Sequence, residues 1–159
     1  MSEAPADPRE RLAALGLTLP EVPAPVAAYV PAVRTGDHVY TSGQLPFVDG
    51  KLPRTGKVGA EVGVDEARDL ARICALNALA AAAAAAGDLS RIVRIVKVVG
   101  YVASAPGFTA QPQVVNGASE LLGEVFGDAG RHARSAVGVA VLPLDAPVEV
   151  ELIAEVRPD

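Results

Sequence analysis

The sequence predicts an α+β fold, a two-layer sandwich in which a mixed β-sheet is backed by two helices on one face. Three observations predict it. Short β-branched and alternating segments read as strands, two longer segments carry apolar residues at helical spacing, and their order along the chain is ββ, α, β, α, ββ. Two helices and five strands need only one shared core, and 159 residues fit one domain.

Each element has a local cause. Residues 1–6 read as a loose tail. Asp7, Pro8 and Glu10 form a helix start: a side-chain cap, a proline suited to the first turn, and an acid at the capping-box position, with Gly16 as the stop. Prolines 20, 23, 25 and 31 make residues 17–28 an extended lead-in. Residues 29–33 and 38–42 read as a hairpin turning at Gly36-Asp37, which puts Tyr29 on the first strand. Residues 47–59 are turn-rich. Residues 65–86 form the main helix, with Asp65, Glu66 and Asp69 at its positive end and Gly87 after its last turn. Its run of alanines at 80–86 gives a smooth face for close packing on a sheet. Residues 91–103 are a Val/Ile-rich strand, and residues 112–126 a second helix. Residues 134–141 and 148–156 both alternate. With residues 142–147 between them, they read as a second hairpin.

Composition narrows the function classes. Half the residues are hydrophobic and 21% are charged, which is globular rather than disordered. The net charge of −5 disfavours a protein whose main task is to neutralise phosphates, so nucleic acid is not an expected partner. One cysteine, Cys74, rules out an intrachain disulfide and a Cys-based zinc cluster. Two distant histidines, His38 and His132, argue against a His-rich metal centre. The first residues lack an apolar signal core, and no apolar run of membrane-spanning length is read; the expected compartment is the cytoplasm.

The last two strands bear most on function. Ser135, Val137, Val139 and Val141 share one face of the first, and Arg134, Ala136, Gly138 and Ala140 the other. In the second strand Val148, Val150, Leu152 and Ala154 oppose Glu149, Glu151 and Glu155. The apolar faces are expected on the helices, which leaves Arg, Glu and a row of small residues on the open face. In a hairpin pairing Val141 with Val148, Arg134 and Glu149 stand roughly 20 Å apart. The two could then serve one small molecule only across a subunit boundary.

Ala133-Arg134-Ser135, Leu142-Pro143 and Val148-Glu149-Val150-Glu151, with Tyr40-Thr41-Ser42-Gly43-Gln44-Leu45-Pro46 upstream, resemble the RidA (YjgF, or L-PSP) family of reactive-intermediate deaminases over about residues 26–156. Residues 1–25 are then an N-terminal tail, short helix and lead-in, and 26–159 one RidA-like domain. The resemblance implies a chorismate-mutase-like fold, sheets packed in a homotrimer, and clefts between subunits. It also implies cofactor-free hydrolysis of 2-imino or 2-enamino acids to 2-keto acids and ammonia. Carried over residue by residue, Arg134 binds the substrate carboxylate through paired N–H donors. Glu149 holds and polarises the attacking water. The Gly43 N–H is a further donor to the carboxylate, and Tyr29, Ser42 and Asn116 line the pocket.

This chain departs from the resemblance in three ways. Ala136 stands where such deaminases commonly have a cysteine lining the pocket. His132 replaces a usual proline and adds a titratable group near Arg134. The segment at 104–113 and the Asn116-Gly117-Ala118-Ser119 stretch look like a longer-chained branch. Two other readings stand beside it: a 2-keto or 2-imino acid binding protein that uses the same residues without turnover, and an L-PSP-type endoribonuclease or translation inhibitor, which the acidity and the six Tyr and Phe residues disfavour.

Overall fold

A computed structural model describes residues 7–24 and 28–159; the expected tail at residues 1–6 and residues 25–27 of the lead-in lie outside the described residues. Helix α1 (Pro8–Ala14) starts as its sequence predicts. The Asp7 carboxylate accepts from the Arg9 backbone N–H at 2.9 Å, and Leu12 is buried. Strands β1 (Ala32–Thr35) and β2 (His38–Thr41) form the predicted hairpin, Thr35 facing His38 across Gly36-Asp37. Tyr29 falls before β1 rather than on it.

Helix α2 (Val64–Ala86) follows, closed at Gly87, whose N–H reaches the Ala83 carbonyl. By length and composition it could cross a membrane, contrary to the expectation that no such run exists, yet it is mostly buried in the fold. Its small face, Ala75, Ala78, Ala82 and Ala86 among others, lies in the core. Strand β3 (Ile92–Ala103), helix α3 (Gln111–Phe126), strand β4 (Ala133–Val139) and strand β5 (Val148–Val156) complete the chain. Gly117 lets α3 approach α2 closely: a Cβ there would stand 2.0 Å from the Arg68 carbonyl oxygen. On the outer side Arg68 pairs with Glu120, and Arg72 with Glu124 at 2.8 Å.

The five strands lie in the order β1-β2-β5-β3-β4. The expected second hairpin is therefore wrong: β4 and β5 are not neighbours, because β3 runs between them, parallel to β4 and antiparallel to β5. The reason is the 16-residue α3 between β3 and β4. A parallel pair needs such a crossover, and β3-α3-β4 is a βαβ unit. Residues 142–147 then step over the end of β3. Ser104 N–H binds the Val139 carbonyl at 3.0 Å and Ala103 N–H the Pro147 carbonyl at 2.9 Å, so both flanks of the step are pinned to the same strand end. The step includes two successive left-handed residues, Leu144 (φ 59°) and Asp145 (φ 58°). Such backbone costs about 1–3 kcal/mol per residue. A Lys57–Asp145 ion pair and the Gly56 N–H on the Asp145 carbonyl at 2.9 Å hold it.

The faces of β4 are also inverted relative to expectation. Arg134 is level with Val98, Ala136 with Gly100 and Gly138 with Val102, all on the helix side. Val137 is on the open face. Strand β4 is an edge strand, so its outward valines are not needed for the core, while Arg134 and the small residues fit beneath α3. Strand β5 is central and alternates as read: Val148, Val150, Leu152 and Ala154 are buried, with Glu149, Glu151 and Glu155 opposite.

Candidate functional site

Arg134 sits at the sheet edge, where α3 overhangs it. Asn116 and Ser119 lie three residues apart on α3 and so share one face. Arg134 Nη1 donates to Asn116 Oδ1 at 2.7 Å and to Ser119 Oγ at 3.2 Å, and Nη2 donates to the Pro112 carbonyl at 3.4 Å. Of the five guanidinium hydrogens, Nε–H and one on Nη2 keep no partner among the described residues. Arg134 also lines a shallow cavity of about 480 Å³, with Ser119, Gly123, Gly130, Arg131 and His132. Such a held cation with donors to spare suits a carboxylate.

Glu149 belongs to the other face. It pairs with Tyr101 on β3, beside Glu151, which accepts from the Tyr101 hydroxyl at 2.8 Å. Burial pushes the Glu149 carboxyl above its ordinary value, and the Glu151 charge adds to this. Over it lies a bulge. Strand β2 is matched to β5 at Tyr40–Ile153 and next at Gln44–Val150, four residues against three. Leu152 N–H is taken up by Thr41 Oγ1 at 3.0 Å instead of a backbone carbonyl. The extra residue brings Gly43 against Glu149, where a Cβ would meet Oε1 at 2.1 Å. No acceptor for the Gly43 N–H is found among the described residues.

The remaining expected site residues fall around these two centres. Ser42 Oγ donates to the Val30 carbonyl at 2.6 Å and its N–H to the Pro31 carbonyl at 2.7 Å. It thus ties the segment carrying the exposed Tyr29 to the end of β2. Asn116, expected to line the pocket, turns its side-chain carbonyl oxygen to Arg134. Ala136 is half-buried on the helix side, level with Gly100. Ser119 was not among the expected site residues; its three-residue spacing from Asn116 was the available signal.

Within one chain Arg134 and Glu149 do not meet. They flank β3 on opposite faces, level with Val98 and Tyr101. The strand and residue spacings separate them by about 14 Å, rather than the 20 Å of a hairpin.

A profile of the family described as "YjgF/chorismate mutase-like, putative endoribonuclease" matches residues 9–156. The chain belongs to the YjgF family. Among YjgF relatives, Protein TCP17 of Trypanosoma cruzi is 47% identical over 144 residues, covering 90% of each chain. The crystal structure of Atu1372 from Agrobacterium tumefaciens, of unknown function, is 48% identical, with a TM-score of 0.87 and coverage of 96% of this chain and 94% of that one. Escherichia coli TdcF with bound serine is 28% identical, with a TM-score of 0.63 and coverage of 86% and 94%. The chorismate-mutase-like fold expected from the resemblance is thereby established.

Proposed function

We propose that the protein hydrolyses reactive 2-imino and 2-enamino acids to 2-keto acids and ammonia, in clefts between the subunits of a homotrimer. The observation that carries this reading is the guanidinium of Arg134. Three acceptors on α3 hold it, two of its hydrogens have no partner among the described residues, and Arg134 lines an open cavity. TdcF, a relative, is known with bound serine. Serine carries the α-carboxylate that this reading assigns to Arg134.

The complementary half comes from a neighbouring protomer. Glu149, half-buried and raised in pKa, takes a proton from water as the oxygen adds to the imine carbon. Glu149 returns that proton to the imine nitrogen, giving a hydroxy-amine; the carboxylate then carries the hydroxyl proton to the amine, ammonia leaves, and the C=N bond has become C=O. The Gly43 N–H, which has no acceptor among the described residues, is a second donor for the carboxylate. Exposed apolar side chains on the open face (Val33, Tyr40 and Val137) favour a sheet covered by other subunits. No step in this chemistry requires a metal or cofactor.

The test couples an amino-acid oxidase or dehydratase to semicarbazide. The protein is expected to suppress semicarbazone formation at substoichiometric amounts. No suppression at stoichiometric protein rejects turnover, and keto-acid binding without suppression leaves a binding protein.

A second reading, the endoribonuclease of the family description, has one observation in its favour: Arg131, His132 and Arg134 border one cavity. Cleavage of single-stranded RNA that survives repurification and disappears in His132→Gln is its test.

A further inference from the structure

His132 is joined to Arg134 by one hydroxyl. Its Nδ1 lies 2.6 Å from the Gly130 carbonyl oxygen and its Nε2 2.9 Å from Ser119 Oγ, which is 3.2 Å from Arg134 Nη1. Donor and acceptor chemistry fixes the protons. A carbonyl only accepts, so Nδ1 carries the hydrogen. A guanidinium only donates, so Ser119 Oγ accepts from Arg134. In the neutral imidazole Nε2 is then an acceptor, and it takes the Ser119 hydroxyl hydrogen. A second proton on the ring reverses that last bond. Nε2 becomes a donor, Ser119 must turn its own hydrogen elsewhere, and a second cation stands one hydroxyl away from the Arg134 guanidinium and repels it.

We propose that His132 is a positioning residue for Arg134: its neutral ring orients the Ser119 hydroxyl so that the guanidinium stays seated on α3, and protonation unseats it, weakening the hold on a substrate carboxylate. The proposal rests on the reading of Arg134 as the carboxylate clamp.

The surroundings favour the neutral ring. Arg131, beside it in the chain, and Arg134 on β4 border the same cavity. On the other side His132 borders a second hollow with His38 of β2, Arg94 of β3 and Glu155 of β5. Helix α3 brings Ser119, while its acids Glu120 and Glu124 turn to Arg68 and Arg72. Burial holds the imidazole below its ordinary 6.5, and the Arg134 charge acts in the same sense against the Gly130 carbonyl. The clamp is therefore set at neutral pH and released in acid.

The experiment follows the Arg134 side-chain ¹⁵N resonances of the full chain from pH 7.5 to 5, together with calorimetry of 2-oxobutanoate at both ends. The Arg134 signals are expected to move with the His132 ring titration, and 2-oxobutanoate affinity to fall about tenfold in acid. His132→Gln, which keeps an acceptor but no titration, is expected to bind within about twofold of the parent at pH 7.5 and to lose both responses. Ser119→Ala is expected to weaken binding at pH 7.5 by about five- to tenfold, with KM rising and kcat unchanged for any imine turned over. Arg134 signals blind to pH, or the same response in His132→Gln, overturn the proposal. So does parent-like binding by Ser119→Ala. Absence of imine turnover leaves the resonance and binding tests intact, so failure of the deaminase reading is told apart from failure of the relay.

Discussion

Gly43 lies so close over Glu149 that a β-carbon on it would stand 2.1 Å from the carboxylate oxygen Oε1. The one-residue bulge after β2 creates this approach, so any side chain at position 43 must push the Glu149 carboxylate aside.

Gly43→Ala is therefore expected to displace the carboxylate and to destabilise the fold by about 0.5–1.5 kcal/mol, the cost of driving the Glu149 side chain from its rotamer. The cost is specific to one partner. In Glu149→Ala the clash is gone, so the double variant Gly43→Ala/Glu149→Ala is expected to recover at least half of that loss. A double-mutant cycle in urea measures the coupling; simple additivity would show that Gly43 is required for its backbone alone.

Glu149→Gln keeps the shape and removes the base. Deaminase activity is expected to fall roughly 10²- to 10⁴-fold. In the parent, kcat/KM is expected to rise with pH as Glu149 ionises, through a limb above the ordinary 4.5 because burial and Glu151 both disfavour the charge. Glu151→Gln removes one of those two causes, so the limb is expected to move to lower pH. A limb that stays put would exclude the Glu151 charge from the site.

Arg134→Lys preserves charge and loses the fork. A lysine has one nitrogen to share between the α3 acceptors and a carboxylate, so kcat/KM is expected to drop by about 10²-fold. At an edge strand the fold should survive, with Tm within about 3 °C of the parent. Parent-like activity in Arg134→Lys or Arg134→Ala would remove this residue from the site.

His132 also leaves a mark on stability. Its folded-state pKa is lowered, chiefly by burial, so below 6.5 the unfolded chain binds more protons than the folded one. The stability held by the neutral ring is complete above pH 6.5 and is lost as pH falls from 6.5 through the folded-state value. Thermal melts at pH 7 and 5 are expected to show a smaller acid loss in His132→Gln than in the parent. Equal losses would mean the ring is as easily protonated in the fold as in the open chain.

Some of this was readable from residues and some was not. Asp7-Pro8, the Gly36-Asp37 turn and the Ala-rich helix act through neighbours in sequence, so their elements could be placed without a fold. Strand β5 could be read too, because a central strand must bury one face continuously, and Val148, Val150, Leu152 and Ala154 do so. The partners of β4 could not. Val137 and Val139 alternate as they would in a hairpin, and nothing local says that β3 runs between β4 and β5. The helix between β3 and β4 was the missed signal. For the site, Arg134 and Glu149 stood out by motif, but the Arg134–Ser119–His132 connection joins α3 to the loop before β4 and exists only after the two pack. The separation of Arg134 from Glu149 within one chain was anticipated from a pairing that does not occur. The fold keeps them apart by another route, on opposite faces of the sheet.

That separation makes complementation the sharpest measurement. Arg134→Ala and Glu149→Gln, each inactive alone, are unfolded together and refolded at a 1:1 ratio, and mixed oligomers are verified by native mass spectrometry. If each site takes its guanidinium from one protomer and its carboxylate from the next, random assembly leaves roughly a quarter of the sites intact. Deaminase activity near a quarter of the parent's is the expected result. Mixed oligomers that remain as inactive as the single variants, beside an active parent refolded the same way, would contradict a site shared between subunits.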